Sequence, residues 1–369
     1  MLPQKILYRT LILSVSLALV HLTACRKEQT PDVPEPPVPE GDYRVVAYVP
    51  GWGDVDFATV PANELTHINY AFTKIENGKI HSEMSQDSLY LTNLVNLRNR
   101  NPALHILVSV GGATWSSDFS DMALTDASRK VFSRSVIEFI KKYDLDGVDL
   151  DWEFPGSYLA GEYRPEDKEN FTALLQVMRT HLDSLSQAHQ RSESKPYQLT
   201  IAAGASAYFI SLVELDLIVP LLDFLNIMNY DYMGSWSNTT GHHTNLYPSI
   251  YSGGAGYSTN ESVILYQTNG VPKDKIIVGA AFYGRWWGGV NTQFNGLYQA
   301  YSGGAGALTY RSIKTNYLND PDYTRHWDSE AKAPFLWSPA DQMFITYDDE
   351  YSIYQKVKYV RDKRLGGIM

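Results

Sequence analysis

From Tyr43 onward the hydrophobic positions alternate between two patterns. Short apolar runs rich in β-branched residues begin at Arg44 (RVVAYVP), His67 (HINYAF), His105 (HILVSV), Gly147 (GVDLDW), Gln198 (QLTIAA), Phe224 (FLNIMNY), Lys275 (KIIVGAAF) and Gly366 (GGIM). They read as eight strands. Between them lie segments of helical period. Asp126 to Lys142 sets Phe132, Val136, Phe139 and Ile140 on one stripe with Tyr143, and Glu166 to Leu185 does likewise with Phe171, Leu174, Leu175 and Met178. A further helix is expected from Asp349 to Lys363. Long helical crossovers make strands parallel, and eight β-then-α units predict an α/β fold, a closed (β/α)8 TIM barrel of about 250 residues.

The folded segment, 42–369, exceeds that size by about 75 residues. The surplus falls between the seventh and eighth strands, at roughly 285–343, where Gly, Tyr and Trp are abundant and the pattern is that of a small α+β insertion subdomain. The hexapeptide Tyr-Ser-Gly-Gly-Ala-Gly occurs twice, from Tyr251 and from Tyr301, as a turn-like echo and not as a periodic array. Met369 falls inside the eighth strand candidate, so the last helix is missing from this chain. Without that helix apolar strand surface would face water, and the expectation is a polypeptide that continues past Met369.

Composition narrows the class. The 369 residues are 44% hydrophobic and 20% charged, with 41 Asp+Glu against 31 Lys+Arg, and no basic block marks a phosphate-binding face. Nucleic acid is therefore not an expected partner. The single cysteine, Cys25, excludes an intrachain disulfide and a cysteine-built zinc site. Lys5 and Arg9 precede an apolar run from Leu11 to Leu22, the length of a signal-peptide core and short for a membrane span. The run closes on Leu22-Thr23-Ala24-Cys25. This resembles the lipobox of bacterial lipoproteins, which implies removal of 1–24, lipidation of Cys25, a membrane partner through that anchor, and a place in the cell envelope, at the outer membrane or the surface. An ordinary secretory signal with an incidental Cys25 is the other reading. Residues 25–41 include TPDVPEPPVPEG, a proline-rich stretch suited to an extended tether.

The chemistry concentrates in Asp146-Gly147-Val148-Asp149-Leu150-Asp151-Trp152-Glu153. Strand side chains alternate faces, so Asp149, Asp151 and Glu153 share one face while Val148, Leu150 and Trp152 share the other. In a barrel covered by helices the apolar set faces outward and three acids face inward. Buried carboxylates are unfavourable unless hydrogen-bonded or sharing protons, so such a stack points to tuned acid–base chemistry. Glu153 stands at the C-terminal end of its strand, where barrel active sites open. A two-faced antiparallel strand with solvated acids is the bland alternative; the flanking helices argue for a parallel one.

The spacing of this octet is similar to the Asp-x-x-Asp-x-Asp-x-Glu signature of family-18 glycoside hydrolases, the chitinase family. Ser109-Val110-Gly111-Gly112 looks like the Ser-x-Gly-Gly of that family, Met228-Asn229-Tyr230-Asp231 like its Met-x-Tyr-Asp, and Phe282-Tyr283-Gly284-Arg285, closing the seventh strand, like its Phe-Tyr-Gly-Arg. The segment after it resembles the chitinase insertion domain. The resemblance implies Glu153 as proton donor to the glycosidic oxygen, Asp151 as the group that orients the substrate's 2-acetamido group, and Asp149 sharing a proton or hydrogen bond beneath it. Asp146 would be structural, and Tyr230 would donate its hydroxyl to the acetamido oxygen. Asp231, Met228, Tyr283, Arg285, Gly112 and Trp115 become candidates for sugar contact.

An ordinary retaining glycosidase needs two facing carboxyl groups about 5–5.5 Å apart, and no second one is evident. The resemblance instead implies attack by the substrate's own acetamido oxygen, which restricts the substrate to polysaccharides or oligosaccharides containing N-acetylglucosamine. Chitin is the leading substrate. An endo-β-N-acetylglucosaminidase acting on N-glycans and a non-catalytic chitin-binding lectin are the alternatives; the insertion argues against the first and Glu153 against the second. The family places a tryptophan beyond the last strand, and the sequence ends before that position. Trp52, Trp115, Trp236, Trp286, Trp287 and Trp327 could stack on sugars or simply pack. His242-His243 lacks a metal-ligand spacing and reads as a solvated loop, so no metal or organic cofactor is expected.

Overall fold

The computed structural model describes residues 43–158, 161, 163–191, 195–252 and 257–369. The expected signal segment, the lipidation site Cys25, the tether and residues 253–256 of the first Tyr-Ser-Gly-Gly-Ala-Gly copy lie outside them. Fourteen strands follow in chain order among the described residues: β1 (Arg44–Pro50), β2 (His67–Glu76), β3 (Lys79–His81), β4 (His105–Gly111), β5 (Gly147–Asp151), β6 (Gln198–Gly204), β7 (Phe224–Met228), β8 (Ile276–Val278), β9 (Tyr283–Trp287), β10 (Ala305–Thr309), β11 (Thr324–Asp328), β12 (Ala333–Ser338), β13 (Met343–Tyr347) and β14 (Gly367–Ile368). The parallel order β1-β14-β8-β7-β6-β5-β4-β2 closes on itself through a β1–β2 ladder, and β3 turns back antiparallel on the end of β2. All eight barrel strands coincide with the eight apolar runs of the sequence, and the fold is the expected (β/α)8 barrel.

Helix limits follow local chemistry. The Asp126–Tyr143 helix starts at a Thr125–Ser128 capping box and stops where Asp144 turns left-handed. The Glu350–Lys363 helix repeats the device with Asp349, Ser352 and a left-handed Arg364. The apolar stripes of the helices at 126–143 and 167–188 pack on the outer face of the barrel. Phe132, Val136, Ile140, Leu174, Leu175 and Met178 share one core with Val148, Leu150 and Trp152 of the acid-bearing segment. Trp152 stacks on Phe119 at 5.2 Å and meets Phe171 edge-on. The outward half of the alternation in the β5 segment is thus a packing surface, which commits its acids to the interior.

A second sheet, antiparallel and ordered β10-β9-β13-β12-β11, interrupts the barrel between β8 and the Glu350–Lys363 helix. Its core gathers Trp287, Val290, Leu297, Phe335, Trp337 and Phe344. One strand assignment changes here. Phe282-Tyr283-Gly284-Arg285 does not close the seventh barrel strand, which ends at Val278; Tyr283 to Trp287 form β9, paired with β10 and β13. The apolar run KIIVGAAF spans the exit from one sheet and the approach to the other.

The glycine that opens β5 has a steric reason. A Cβ at Gly147 would collide with the backbone carbonyl of Gln198 on β6. Gly147→Ala should therefore force β5 and β6 apart and cost about 1–3 kcal/mol, read as a lower urea midpoint at unchanged slope.

Candidate active site

β5 carries the acids up the barrel axis, and each meets a different environment. Asp146, at the entrance, is fully buried and accepts from Arg98, from Arg191 at 2.6 Å and from the Ile106 amide at 2.9 Å. Burial alone would raise its pKa, but the two guanidinium groups and the amide hold it below the usual carboxylate range. Those bonds tie the start of β5 to Arg98, Arg191 and β4.

Asp149 sits in register between Ser109 of β4 and Thr200 of β6. Both hydroxyls donate to it, at 2.7 and 2.6 Å. Tyr48 of β1 donates at 2.8 Å and Asn226 of β7 at 3.3 Å. Burial still wins, and the Asp149 pKa is raised despite these donors. Asp151 is more exposed to the cost: its Oδ1 is buried without a hydrogen-bond partner. Burial, then the charges of Glu153 and Asp149, push its pKa well up. Both oxygens of Asp149 are occupied from the side strands, so the donors beneath Asp151 are hydroxyl, phenol and amide groups.

Glu153 lies just past the strand. Its amide donates to Ser116 Oγ at 2.9 Å, and Ser116 in turn donates to the carbonyls of Gly112 and Asp151. Gly112 also donates its own N–H to the Asp151 carbonyl at 2.8 Å, with φ +81, a region glycine enters freely. Burial, with the charge of Asp231 second, raises the Glu153 pKa to about 7 against a lowering contact from the Ala113 amide. Glu153 is consequently a protonated acid at mildly acidic pH, as a general acid requires.

Asp231 behaves in the opposite way. Its backbone is left-handed, φ +61. Arg285 of β9 grips it through Nε at 2.8 Å and Nη2 at 2.7 Å. Burial opposes ionisation here too, but His243 and Arg285 outweigh it, and the Asp231 pKa is lowered. The Tyr230 ring stands edge-on to Tyr283 at 5.9 Å, and burial and the surrounding carboxylates keep its phenol protonated. Tyr283 is likewise pushed up by burial and by Asp231.

The structure thus brings Asp149, Asp151, Glu153, Tyr230, Asp231, Tyr283 and Arg285 to one end of the barrel, with Gly112 joining through its backbone. Met228 ends β7 half-buried, two positions before Tyr230, and Trp115 is half-buried in the turn after Gly112. Trp52, about half exposed, stacks on Phe72 at 6.0 Å, and Trp236 lies under the Arg285 guanidinium at 4.9 Å. Trp287 is fully buried against Phe344, a packing residue.

The His242-His243 pair is not solvated. Both rings are buried, His242 against Asp328 at 3.2 Å and His243 with Nδ1 3.7 Å from Asp231 Oδ1 and its ring on Tyr283. Sequence reasoning also passed over Tyr48, Thr200 and Asn226 as partners of Asp149; their only signal is a polar residue on the inward register of an otherwise apolar strand. Among the described residues no three His, Cys, Asp or Glu side chains converge as a metal site.

A protonated and an ionised carboxyl group side by side at the C-terminal rim of a barrel suit acid–base chemistry at that rim. Residues 44–369 match the Glycosyl hydrolases family 18, and the chain belongs to that family. Chitinase A1 of Niallia circulans is 34% identical over 392 residues, which cover 89% of this chain and 56% of that protein. The chain therefore spans little more than half of that relative. Among solved structures, chitinase ChiW of Paenibacillus sp. str. FPU-7, a multi-modular enzyme expressed at the cell surface, has 40% identity and a TM-score of 0.81 over 88% of this chain and 40% of its own. A family 18 N-acetylglucosaminidase from Paenibacillus barengoltzii has 40% identity and a TM-score of 0.79 over 89% and 94%.

Because Arg285 lowers the Asp231 pKa, its contribution to stability is present above the unfolded value near pH 4 and is lost as pH falls through the folded value. Arg285→Met should lower the melting temperature at pH 7, with the difference from wild type shrinking toward pH 2 in thermal scans to what the pH-independent contact with Trp236 contributes.

Proposed function

We propose that the protein hydrolyses β-1,4 linkages between N-acetylglucosamine units in chitin or chitooligosaccharides, with retention of configuration and with the substrate's 2-acetamido group as nucleophile. The observation that carries this reading is the divided electrostatics of the site: Glu153 holds its proton to about pH 7 while Asp231 is kept ionised beside it. Glu153 protonates the glycosidic oxygen as that bond breaks. The acetamido oxygen closes on the anomeric carbon to give an oxazolinium ion, and the Glu153 carboxylate then takes a proton from the water that opens it. Asp151, whose Oδ1 has no hydrogen-bond partner among the described residues, is suited to accept the acetamido N–H, and Tyr230 to donate to its oxygen. Asp231 is a poor alternative nucleophile because Arg285 occupies both its oxygens.

The antiparallel sheet at 283–347 supports chitin over N-glycans, since the resemblance links that insertion to chitinases. The relative of comparable length named as an N-acetylglucosaminidase supports a second reading, release of single terminal sugars. Wild-type protein should cleave tetra-N-acetylchitotetraose and leave cellotetraose intact. Dimer products would favour the chitinase form and monomer the terminal form. Glu153→Gln should lower turnover about 10²–10⁴-fold while sugar binding persists. Undiminished turnover in that variant would refute the assignment. Loss of the Glu153 proton should also cut kcat/KM about tenfold per pH unit above roughly pH 7, and a flat profile to pH 9 would contradict general-acid catalysis.

We also propose export and lipid anchoring at Cys25, supported by the Leu22-Thr23-Ala24-Cys25 sequence after its apolar run and by the proline-rich stretch that follows. Expressed in a bacterium, the full chain should fractionate with membranes and take up labelled palmitate. Cys25→Ala should do neither, and equal behaviour of the two would sink the anchor.

A further inference from the structure

Away from the acids, one charged pair is buried as deeply as any group in the protein. Lys356, on the Glu350–Lys363 helix, and Asp348, just before it, have side chains 0% and 1% exposed, with Nζ 2.5 Å from Asp348 Oδ2. A buried ion pair is weak evidence for stability, because desolvation offsets most of the attraction. Its surroundings give it another use. Lys356 Nζ also donates to Thr244 Oγ1 at 2.7 Å, and that hydroxyl donates to the carbonyl of Asn229 at 2.9 Å. Asp348 Oδ2 accepts from the Ala281 amide at 3.1 Å, and its Oδ1 from Ser352 at 2.7 Å.

Three chain segments therefore converge on one ammonium–carboxylate pair. Asn229 directly precedes Tyr230 and Asp231. Ala281 leads through Phe282 into Tyr283 and Arg285. Thr244 follows His243, whose carbonyl accepts from the Tyr232 amide at 3.1 Å and whose ring lies between Asp231 and Tyr283. Tyr230, Asp231 and Tyr283 each lie within two residues of a backbone point bonded to this node.

We propose that Lys356 is a positioning residue for the hydrolysis. Paired with Asp348 and bridged by Thr244, it fixes the Asn229 and Ala281 backbone and so holds Tyr230 and the Asp231–Arg285 pair at their working distance from Glu153. The inference rests on the hydrolytic reading above. It adds a residue that never touches substrate, placed on the element that resumes the barrel after the inserted sheet. A misplacement of about 1 Å in such a group costs on the order of 100-fold in rate.

Lys356→Met alone leaves Asp348 buried and unpaired and risks unfolding, so the test uses two milder forms. Lys356→Met/Asp348→Leu removes both charges, and Thr244→Val keeps both charges but removes the hydroxyl that joins Lys356 and Asp348 to the Asn229 carbonyl. Lys358→Met, which removes an exposed pair with Asp362 on the same helix, is the control. On tetra-N-acetylchitotetraose, both forms, checked as folded by circular dichroism, should show kcat lower by roughly 10- to 100-fold with KM changed less than about threefold. The alkaline limb near pH 7 should move down, because the Asp231 charge no longer supports the Glu153 proton. Hydrogen exchange should quicken in peptides covering 229–232 and 279–283 and stay unchanged in β4 to β6. A merely structural role would lower the denaturation midpoint and leave kcat and the pH limb of the folded protein where they were; that result overturns the proposal. If the wild type cleaves no N-acetylated oligosaccharide, the hydrolytic reading fails, and unchanged exchange at 229–232 and 279–283 would overturn the positioning claim separately.

Discussion

A strand and the two residues after it, which together carry three carboxyl groups into a low-dielectric interior and to its rim, set the terms for the rest of the molecule. The outward face of β5 and Trp152 is buried under two helices, so Asp149 and Asp151 have nowhere to point but inward, and Glu153 follows them to the rim. Ionising all three there is prohibitive. The fold answers at one level only, giving Asp149 four donors from β1, β4, β6 and β7. Two of those strands neighbour β5, and two lie farther around the sheet. Barrel closure is thus a condition of the acid stack, because Tyr48 and Asn226 reach Asp149 only across a closed interior.

Protonation at the rim follows from what the fold withholds. Asp151 keeps an unpartnered oxygen and Glu153 receives little beyond one amide, so burial and mutual repulsion keep protons on them. Asp231 receives a bidentate guanidinium and stays charged. Two acids pushed in opposite directions is the usual mark of divided acid–base roles. The guanidinium comes from β9, the first strand of the inserted sheet, and so the insertion is part of the electrostatics of the site as well as a wall beside it.

Much of this was legible in the sequence because it depends on short-range alternation. The DGVDLDWE octet states its own two faces, and the apolar runs state the barrel strands. The partners of Asp149 were not legible, since Thr200 and Asn226 become neighbours of β5 through ladder register and closure, which no local pattern encodes. His242-His243 misled for a related reason: two polar rings in a Gly- and Thr-containing stretch look like loop, yet the inserted sheet covers them. The break after Val278 was hidden because KIIVGAAF stays apolar while its backbone hydrogen bonds pass from one sheet to another. Lys356 gave no signal at all, since lysine is the residue least expected inside.

The same electrostatics explain why so acidic a site suits a reaction that generates positive charge. Before the bond breaks, Glu153 is neutral and Asp231 is balanced by Arg285, so the rim carries little net charge. Proton transfer to the leaving group turns Glu153 into an anion beside other acids, which would be costly in an empty cleft. In the proposed reaction it happens only as an oxazolinium cation forms among those acids, and their raised energy in the ground state is relieved at that moment. Charge that develops on the acid only as the neighbouring cation forms favours the transition state over the ground state, which is a direct source of catalysis. The uneven provision of hydrogen bonds along β5, full at Asp149 and sparse at Asp151 and Glu153, is the structural form of that arrangement.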